Sequence, residues 1–417
     1  MRCIIDGLTH SGEGVARIEG KATFVPFTIP GETVDVKIVE EKKSFQRARL
    51  ENVVNPSPDR VAPPCLYYFS CGGCSYQHVQ YPRQLELKRQ VVREALKRIG
   101  GIEIEVNPVL GMDNPWHYRN KVEWHTWQKS GQLVMGYYLN DSRRLMDISS
   151  CLLISSEMQE YSNFIREHGE ELKLPDNCEI VVRQSSASRE LMLIFIGSGA
   201  SQIDFARMLN FREAASIYSI EEGISRLHYG DQTLPETLDG IDYQISPLSF
   251  FQVNHRQTEK MLGIIRDYVR LESSDNVLDA YCGTGSIALN LAGSARLVVG
   301  VEAFKSAVKD AKRNAFHNHV ANCKFIKGPC EDIVPGLEEH FHAVILDPPR
   351  AGCKEKLLEA IIKNKPKKII YVSCNPATLA RDLAVLVQGQ YAVEQVQPID
   401  MFPQTSHVEV VCLLERA

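Results

Sequence analysis

The chain contains no apolar run of the roughly 20 residues that a membrane-spanning helix needs. Its start, MRCIIDGLTHSGEG, has no basic stretch followed by an apolar core, so no secretory leader is expected. These two absences predict a cytoplasmic protein. Thiols stay reduced in that compartment, so the twelve cysteines are not expected to form a disulfide framework. A clustered subset is expected to hold metal or do chemistry, and the scattered ones to be buried as small hydrophobes. An excess of positive charge is also missing: 47 Lys and Arg face 52 Asp and Glu, for a net charge of −5. This argues against a surface coated in basic groups but leaves room for local patches. There is no internal repeat and no long low-complexity segment.

What is present is enough chain, 417 residues, for two or three domains. Residues 1–55 read as short strands between glycine and proline turns. In ATFVPFTIPGETVDVKIVEE apolar and polar residues alternate around a Pro30-Gly31 turn. The expectation is a small β-barrel, a shape often used to bind oligonucleotides. A proline-rich boundary, Pro56 to Pro64, follows. Residues 56–245 mix strand-like runs such as CEIVVRQ and ELMLIFIG with one basic helix, an α+β unit without a readable topology. In that helix Arg83, Lys88, Arg89, Arg93, Lys97 and Arg98 fit an exposed face, with Leu85, Val92 and Leu96 turned inward. A solvated helix face explains the charges as well as a nucleic-acid patch does.

From residue 246 to 417 the character changes. VLDAYCGTGSIALNLA, ARLVVGVEA, CKFIKG, HAVILDPP and KKIIYVSCNP are strand-like runs separated by helical ones. That alternation predicts an α/β, doubly wound, mainly parallel sheet. In the first run a strand ends at Asp279, and Gly283 and Gly285 form a tight loop before a helix near Ser286. The loop lacks the Gly-Lys-Ser/Thr of a phosphate loop and the third glycine of the dinucleotide fingerprint. Glu302 ends the next strand, where an acid accepts hydrogen bonds from a ribose. A dinucleotide and S-adenosylmethionine both suit this arrangement, and the short GTG loop favours the latter. Asp347 and Cys374 stand at two further strand ends, the edge where ligands bind in such sheets. Cys374 precedes Pro376 and a helix whose N-terminus can lower a thiol pKa, which favours a nucleophile over an inert buried thiol. Glu409, in the terminal strand, is either an exposed edge residue or a base whose proton affinity is raised by partial burial.

Cys65, Cys71 and Cys74 follow a C-x5-C-x2-C pattern within CLYYFSCGGCSYQH. By spacing alone, zinc and an iron–sulfur cluster compete for them.

At LDAYCGTGSIAL, ILDPPRAG, VSCNPATLARDL and the terminal D-x-FPQTSHVE, the sequence resembles the RNA (uracil-5-)-methyltransferases of the RumA type. SPLSFFQVN and WHYRNKVEW are similar to further segments of that family, and residues 1–60 resemble its TRAM RNA-binding barrel. The resemblance spans essentially the whole chain. It implies a Rossmann-like methyltransferase domain, Cys374 as nucleophile and Glu409 as base, with Gln252, Tyr281, Glu302 and Asp347 around S-adenosylmethionine. It also implies a [4Fe–4S] cluster on Cys65, Cys71, Cys74 and a distant fourth ligand, Cys151. Some members have Asn where this chain has Ser286, so no cofactor contact is carried over there. The implied reaction is methylation of carbon 5 of a uridine in RNA. The barrel and the cluster lean toward 23S ribosomal RNA, with a tRNA loop as the alternative. A non-catalytic RNA-binding protein and a dinucleotide-dependent oxidoreductase are rival readings, and neither explains Cys374 with Glu409.

Overall fold

The computed structural model describes residues 1–129, 132–139, 144–211, 214 and 216–417. Six strands open the chain: β1 (Arg2–Ile4), β2 (Gly7–Leu8), β3 (Gly14–Ile18), β4 (Lys21–Val25), β5 (Thr33–Glu41) and β6 (Phe45–Asn55). They form one sheet in the order β1-β5-β6-β4-β3-β2. Alternate residues point inward, so Ala16, Ile18, Val25, Val34, Val36 and Ala48 make a small core. The Pro30-Gly31 turn links β4 to β5, and Gly31 has the positive φ of +93° that such a turn asks of glycine.

Helix α1 (Tyr81–Arg98) is the basic helix expected from sequence, with Pro82 in its first turn. One of its expected outward residues is turned in: Lys88 is fully buried, beside Leu87, Val92 and Leu96, while Leu85 is only half-buried. The reason is a charge partner, Asp400, described below.

The central sheet contains β7 (Lys121–Lys129), β8 (Gln132–Tyr138), β9 (Leu145–Asp147), β10 (Glu179–Gln184), β11 (Leu191–Ile196), β12 (Ser216–Glu221) and β13 (Ile224–Gly230). Their order is β13-β12-β11-β10-β7-β8-β9. Helices α2 (Ser156–His168) and α3 (Phe205–Phe211) supply apolar residues to its core around Trp124, Tyr161 and Phe195. A hairpin, β14 (Leu234–Leu238) and β15 (Ile241–Ile245), leads to α4 (His255–Val269), which is capped by the Asn254 side chain.

The last sheet is built from β16 (Asn276–Ala280), β17 (Leu297–Glu302), β18 (Cys323–Lys327), β19 (Ala343–Leu346), β20 (Lys368–Ser373), β21 (Tyr391–Ile399) and β22 (Glu409–Arg416). Between them run α5 (Ser286–Ala292), α6 (Lys305–His317), α7 (Cys330–Ile333), α8 (Glu355–Asn364) and α9 (Pro376–Gln388). The order is β18-β17-β16-β19-β20-β22-β21, parallel except for the two C-terminal strands. Cores on the two faces of this sheet hold Leu278, Val299 and Tyr371 on one side and Val277, Val298 and Ile370 on the other. This is the doubly wound α/β architecture with an N-terminal barrel that the sequence predicts. Helix α1 shares the core on one of these faces through Val92 and Leu96, so the sequence segment before the central sheet is built into the third unit. Among the described residues no helix is long and apolar enough to cross a membrane.

Candidate active site

Strand order decides which side chains meet. β16, β19, β20 and β22 are neighbours, and their registers bring Asp279, Asp347, Cys374 and Glu409 to one edge. Leu346 pairs with Tyr371 and Ser373 pairs with Val410, so Asp347, Cys374 and Glu409 each lie one residue beyond or before a paired position. Cys374 sits in the short turn between β20 and α9. Asn375 caps that helix by accepting from the Ala377 amide at 3.1 Å, and Pro376 starts it.

Glu409 is 4% exposed and lies on a strand flanked by β20 and β21, which removes the exposed-edge reading. Burial, then the charge of Asp347, pushes its carboxyl well above the usual range, with Arg350 opposing. Asp347 is half-buried, and loss of solvent around it raises its carboxyl to about 7. The Cys374 thiol is pushed up to about 11, by burial first and then by Glu409, with Arg350 opposing and Asp347 adding to the rise. The lowered thiol expected from the helix N-terminus is therefore outweighed: desolvation and the adjacent carboxylates act more strongly than one helix end. Asp279, fully buried, is raised well above the carboxylate range, by burial and then Asp347. Neither of its carboxylate oxygens has a hydrogen-bond partner among the described residues.

The glycine loop is held by Glu302, whose carboxylate accepts from the amides of Gly283 at 3.1 Å and Phe304 at 2.8 Å. Tyr281 enters the loop at φ +66°, a left-handed conformation that a bulky residue adopts only when its surroundings enforce it. Gln252 stands just before α4, its carbonyl accepting from the Asn120 side chain at 3.0 Å. That bond ties the central sheet to the entrance of the third.

Around Cys374 lies a cleft of about 400 Å³, and it draws on all three parts of the chain. His10 and Ser11 come from the barrel, Cys74 and Ser75 from the cysteine loop, and Arg350, Asn375 and His407 from the last sheet. The His407 imidazole is lowered to about 4, chiefly by burial and then by Arg350, and so is neutral near pH 7. Its Nε2 lies 3.3 Å from the Arg350 guanidinium, which donates. Arg350, His407, Asp279 and the barrel residues had not been marked as site residues. Arg350 and His407 do lie inside HAVILDPPR and TSHVE, and Asp279 is the last residue but one of its strand, so those motifs held a signal; His10 has none.

The four cysteines singled out from sequence line one mostly apolar cavity of about 80 Å³. All twelve cysteines are free thiols. The Gly73 amide points at Cys71 Sγ at 3.4 Å, and the Leu153 and Ile154 amides donate to Cys151. Arg119 adds a positive charge to the cavity wall. Among the described residues, no three His, Cys, Asp or Glu side chains are gathered closely enough to hold a metal ion. The thiols thus share a space without converging on one point.

Comparison with known proteins adds the family. A TRAM domain profile matches residues 1–50, and a tRNA (Uracil-5-)-methyltransferase profile matches residues 226–417. An uncharacterized RNA methyltransferase of Listeria monocytogenes serotype 4b (strain F2365) is 40% identical, the match covering 98% of this chain and 96% of that protein. The chain belongs to the RNA uracil-5-methyltransferase family. Another member, an uncharacterized RNA methyltransferase of Clostridium tetani, is 38% identical over 98% of this chain and 95% of its own. Among solved structures, the Pyrococcus abyssi tRNA (uracil-54, C5)-methyltransferase in complex with S-adenosyl-L-homocysteine superposes with a TM-score of 0.79 at 29% identity. That match covers 99% of both chains. The protein is therefore an RNA methyltransferase by family, with the fold of that class.

Proposed function

We propose that this methyltransferase adds a methyl group to carbon 5 of a uridine in 23S ribosomal RNA, through a covalent bond between Cys374 and carbon 6. The observation that supports this most is the juxtaposition of a thiol, Cys374, with a buried acid of raised proton affinity, Glu409, at the edge of the sheet that carries the glycine loop. S-adenosylmethionine, bound by Gln252, Tyr281, Glu302 and Asp347, supplies an electrophilic methyl group. The P. abyssi structure with S-adenosylhomocysteine supports that cofactor.

Carbon 5 of uracil is a weak nucleophile. Cys374, as its thiolate, adds to carbon 6 and the electron pair moves to an enolate, which makes carbon 5 reactive. Carbon 5 then takes the methyl group, the bond from methyl to the donor's sulfonium breaks, and S-adenosylhomocysteine is left as a neutral thioether. Glu409, as a carboxylate, removes the hydrogen that remains on carbon 5, the ring double bond re-forms and Cys374 leaves as thiolate. Arg350 favours the charged forms of both Cys374 and Glu409, and neutral His407 accepts its hydrogen bond. A base inside a stack cannot reach the cleft, so the target is unpaired or flipped out.

The proposal includes the division of the chain into a barrel (1–55), a central unit (56–245) and a catalytic unit (246–417). It also includes a [4Fe–4S] cluster on Cys65, Cys71, Cys74 and Cys151. What supports it is that the four cysteines line one cavity, and four thiolates suit such a cluster as they also suit zinc. Such a cluster would staple the loop that lines the cleft at Cys74 and Ser75.

A second reading, methylation of a tRNA loop, draws on the P. abyssi protein, whose named substrate is tRNA. Anaerobically purified protein with tritiated S-adenosylmethionine and separate pools of unmodified 23S rRNA and tRNA decides between them. Labelled 5-methyluridine in rRNA alone is expected. Label in tRNA alone would replace the substrate and keep the chemistry, and no label in either would overturn the proposal.

A further inference from the structure

A second cavity, of about 370 Å³, opens beside the segment that leads to Glu409. Two of its wall residues hold that segment: Tyr118 donates to the Pro403 carbonyl at 3.1 Å and Asn254 to the Met401 carbonyl at 3.0 Å. Thr405, Ser406 and His407, a few residues on, line the Cys374 cleft. The two spaces are thus neighbours along one stretch of chain.

No carboxylate lines this cavity, whereas three arginines and two histidines do. Arg189 is already neutralised by Glu157, through two contacts of 2.6 Å. Arg256 is exposed and has no ion-pair partner among the described residues. Arg119 is engaged by Tyr118 and also lines the cysteine cavity, so its charge is shared with that space. Half-buried Trp116 adds an aromatic wall, and the neighbouring His117 is held at φ +53° with its Nδ1 2.7 Å from the Ile154 carbonyl. An unpaired guanidinium at the mouth of a cavity without carboxylates calls for an anion, and an aromatic wall in the same cavity calls for a ring. A volume above roughly 300 Å³ is within the range of ligand pockets.

We propose that this cavity is a second nucleotide pocket, taking a phosphate of the RNA strand beside the target uridine on Arg256, with the attached base against Trp116. The assignment rests on the RNA-methylating reading above and adds to it how a flanking nucleotide is gripped while the target sits in the cleft.

The test uses full-length protein and whichever RNA the wild type methylates. Affinity is measured against salt for wild type, Arg256→Gln, Arg256→Lys and Trp116→Leu, with S-adenosylmethionine binding and melting temperature as controls. Arg256→Gln should weaken binding several-fold and reduce the slope of log K against log salt by about 0.7, the value for one phosphate of a single strand. Arg256→Lys should keep the slope. Trp116→Leu should weaken binding by about tenfold with the slope unchanged. Inorganic phosphate at constant ionic strength should compete with RNA on wild type more than on Arg256→Gln. Wild-type affinity and slope in both Arg256→Gln and Trp116→Leu, or equal competition by phosphate, would overturn the pocket and leave the methylation reading standing. A wild type that binds no RNA would overturn both.

Discussion

Lys88 Nζ donates to Asp400 Oδ1 at 2.5 Å, and both side chains are completely buried. The pair joins α1 to the loop that runs from the end of β21 into β22. Tyr81 adds a second hydrogen bond to Asp400, at 2.8 Å, and Lys88 a second donation to the Phe402 carbonyl, at 3.1 Å. A charge buried without its partner costs several kcal/mol, so the pair is far harder to break than to replace. Lys88→Met should lower unfolding stability by about 3–5 kcal/mol in urea titrations, and Lys88→Met with Asp400→Leu should recover most of that. Equal losses in the single and double variants would show that the pair's charges do not matter.

This pair also shows where the sequence stops being informative. A basic helix was legible from its period, and so were the barrel strands and the alternating strands and helices of residues 246–417, because each rests on local apolar spacing. Lys88 was read as an outward residue because its period fits that face. Only the fold reveals that Asp400, more than 300 positions away, is waiting for it. Cys374, Asp347 and Glu302 were visible at strand ends because parallel sheets bind ligands there. The rise in the Cys374 thiol was not visible, since it depends on Glu409 from a strand whose place between β20 and β21 no local pattern encodes. The contribution of His10 to the cleft likewise depends on how the barrel docks.

Asp347 adds, behind burial, to the rise in both the Cys374 thiol and the Glu409 carboxyl. Its own carboxyl is raised to about 7, against roughly 3.9 in an unfolded chain. A raised carboxyl binds its proton more tightly when folded, so its stabilising contribution is present below about pH 4 and is lost as pH rises toward and past 7. Asp347→Asn should therefore be more stable than wild type at pH 8, by on the order of 1–2 kcal/mol, with the difference shrinking toward pH 5. The same change removes a negative charge that raises Cys374 and Glu409. The midpoint for alkylation of Cys374, followed by peptide mass spectrometry against pH, should fall below that of wild type. An unchanged midpoint would mean that Asp347 does not act on the thiol.

Cys374 and Glu409 make separable predictions. Cys374→Ala should give no covalent RNA complex on a denaturing gel. Glu409→Gln should form the complex and release it slowly, so that adduct builds up under turnover while 5-methyluridine output drops at least a hundredfold. The substitution also removes the larger of the two carboxylate charges raising the thiol, so adduct formation itself should not slow. Adduct levels equal to wild type under turnover would remove Glu409 from the role of base.

The cysteine loop reaches the cleft through backbone contacts that a cluster would make rigid. The amides of Ser75 and Tyr76 donate to the Gln404 carbonyl at 3.0 and 2.9 Å, and the Ser406 amide donates to Ser75 Oγ at 2.8 Å. Gln404 itself sits at φ +69° and is clasped by Gln84, whose side chain donates to its Oε1 at 3.0 Å and accepts from its amide at 3.2 Å. Loosening of residues 65–78 should therefore be felt at residues 404–406, and through them in the approach to Glu409. Anaerobically purified wild type should carry iron and acid-labile sulfide in equal amounts, and Cys71→Ser should lose both. In that variant the amides of Ser75, Tyr76 and Ser406 should exchange with deuterium faster than in wild type, while those of β16 and β17 should not change. RNA affinity should fall together with the protection of this loop. Loss of iron with unaltered exchange and unaltered RNA binding would show that the fold, and not a cluster, holds the loop in place.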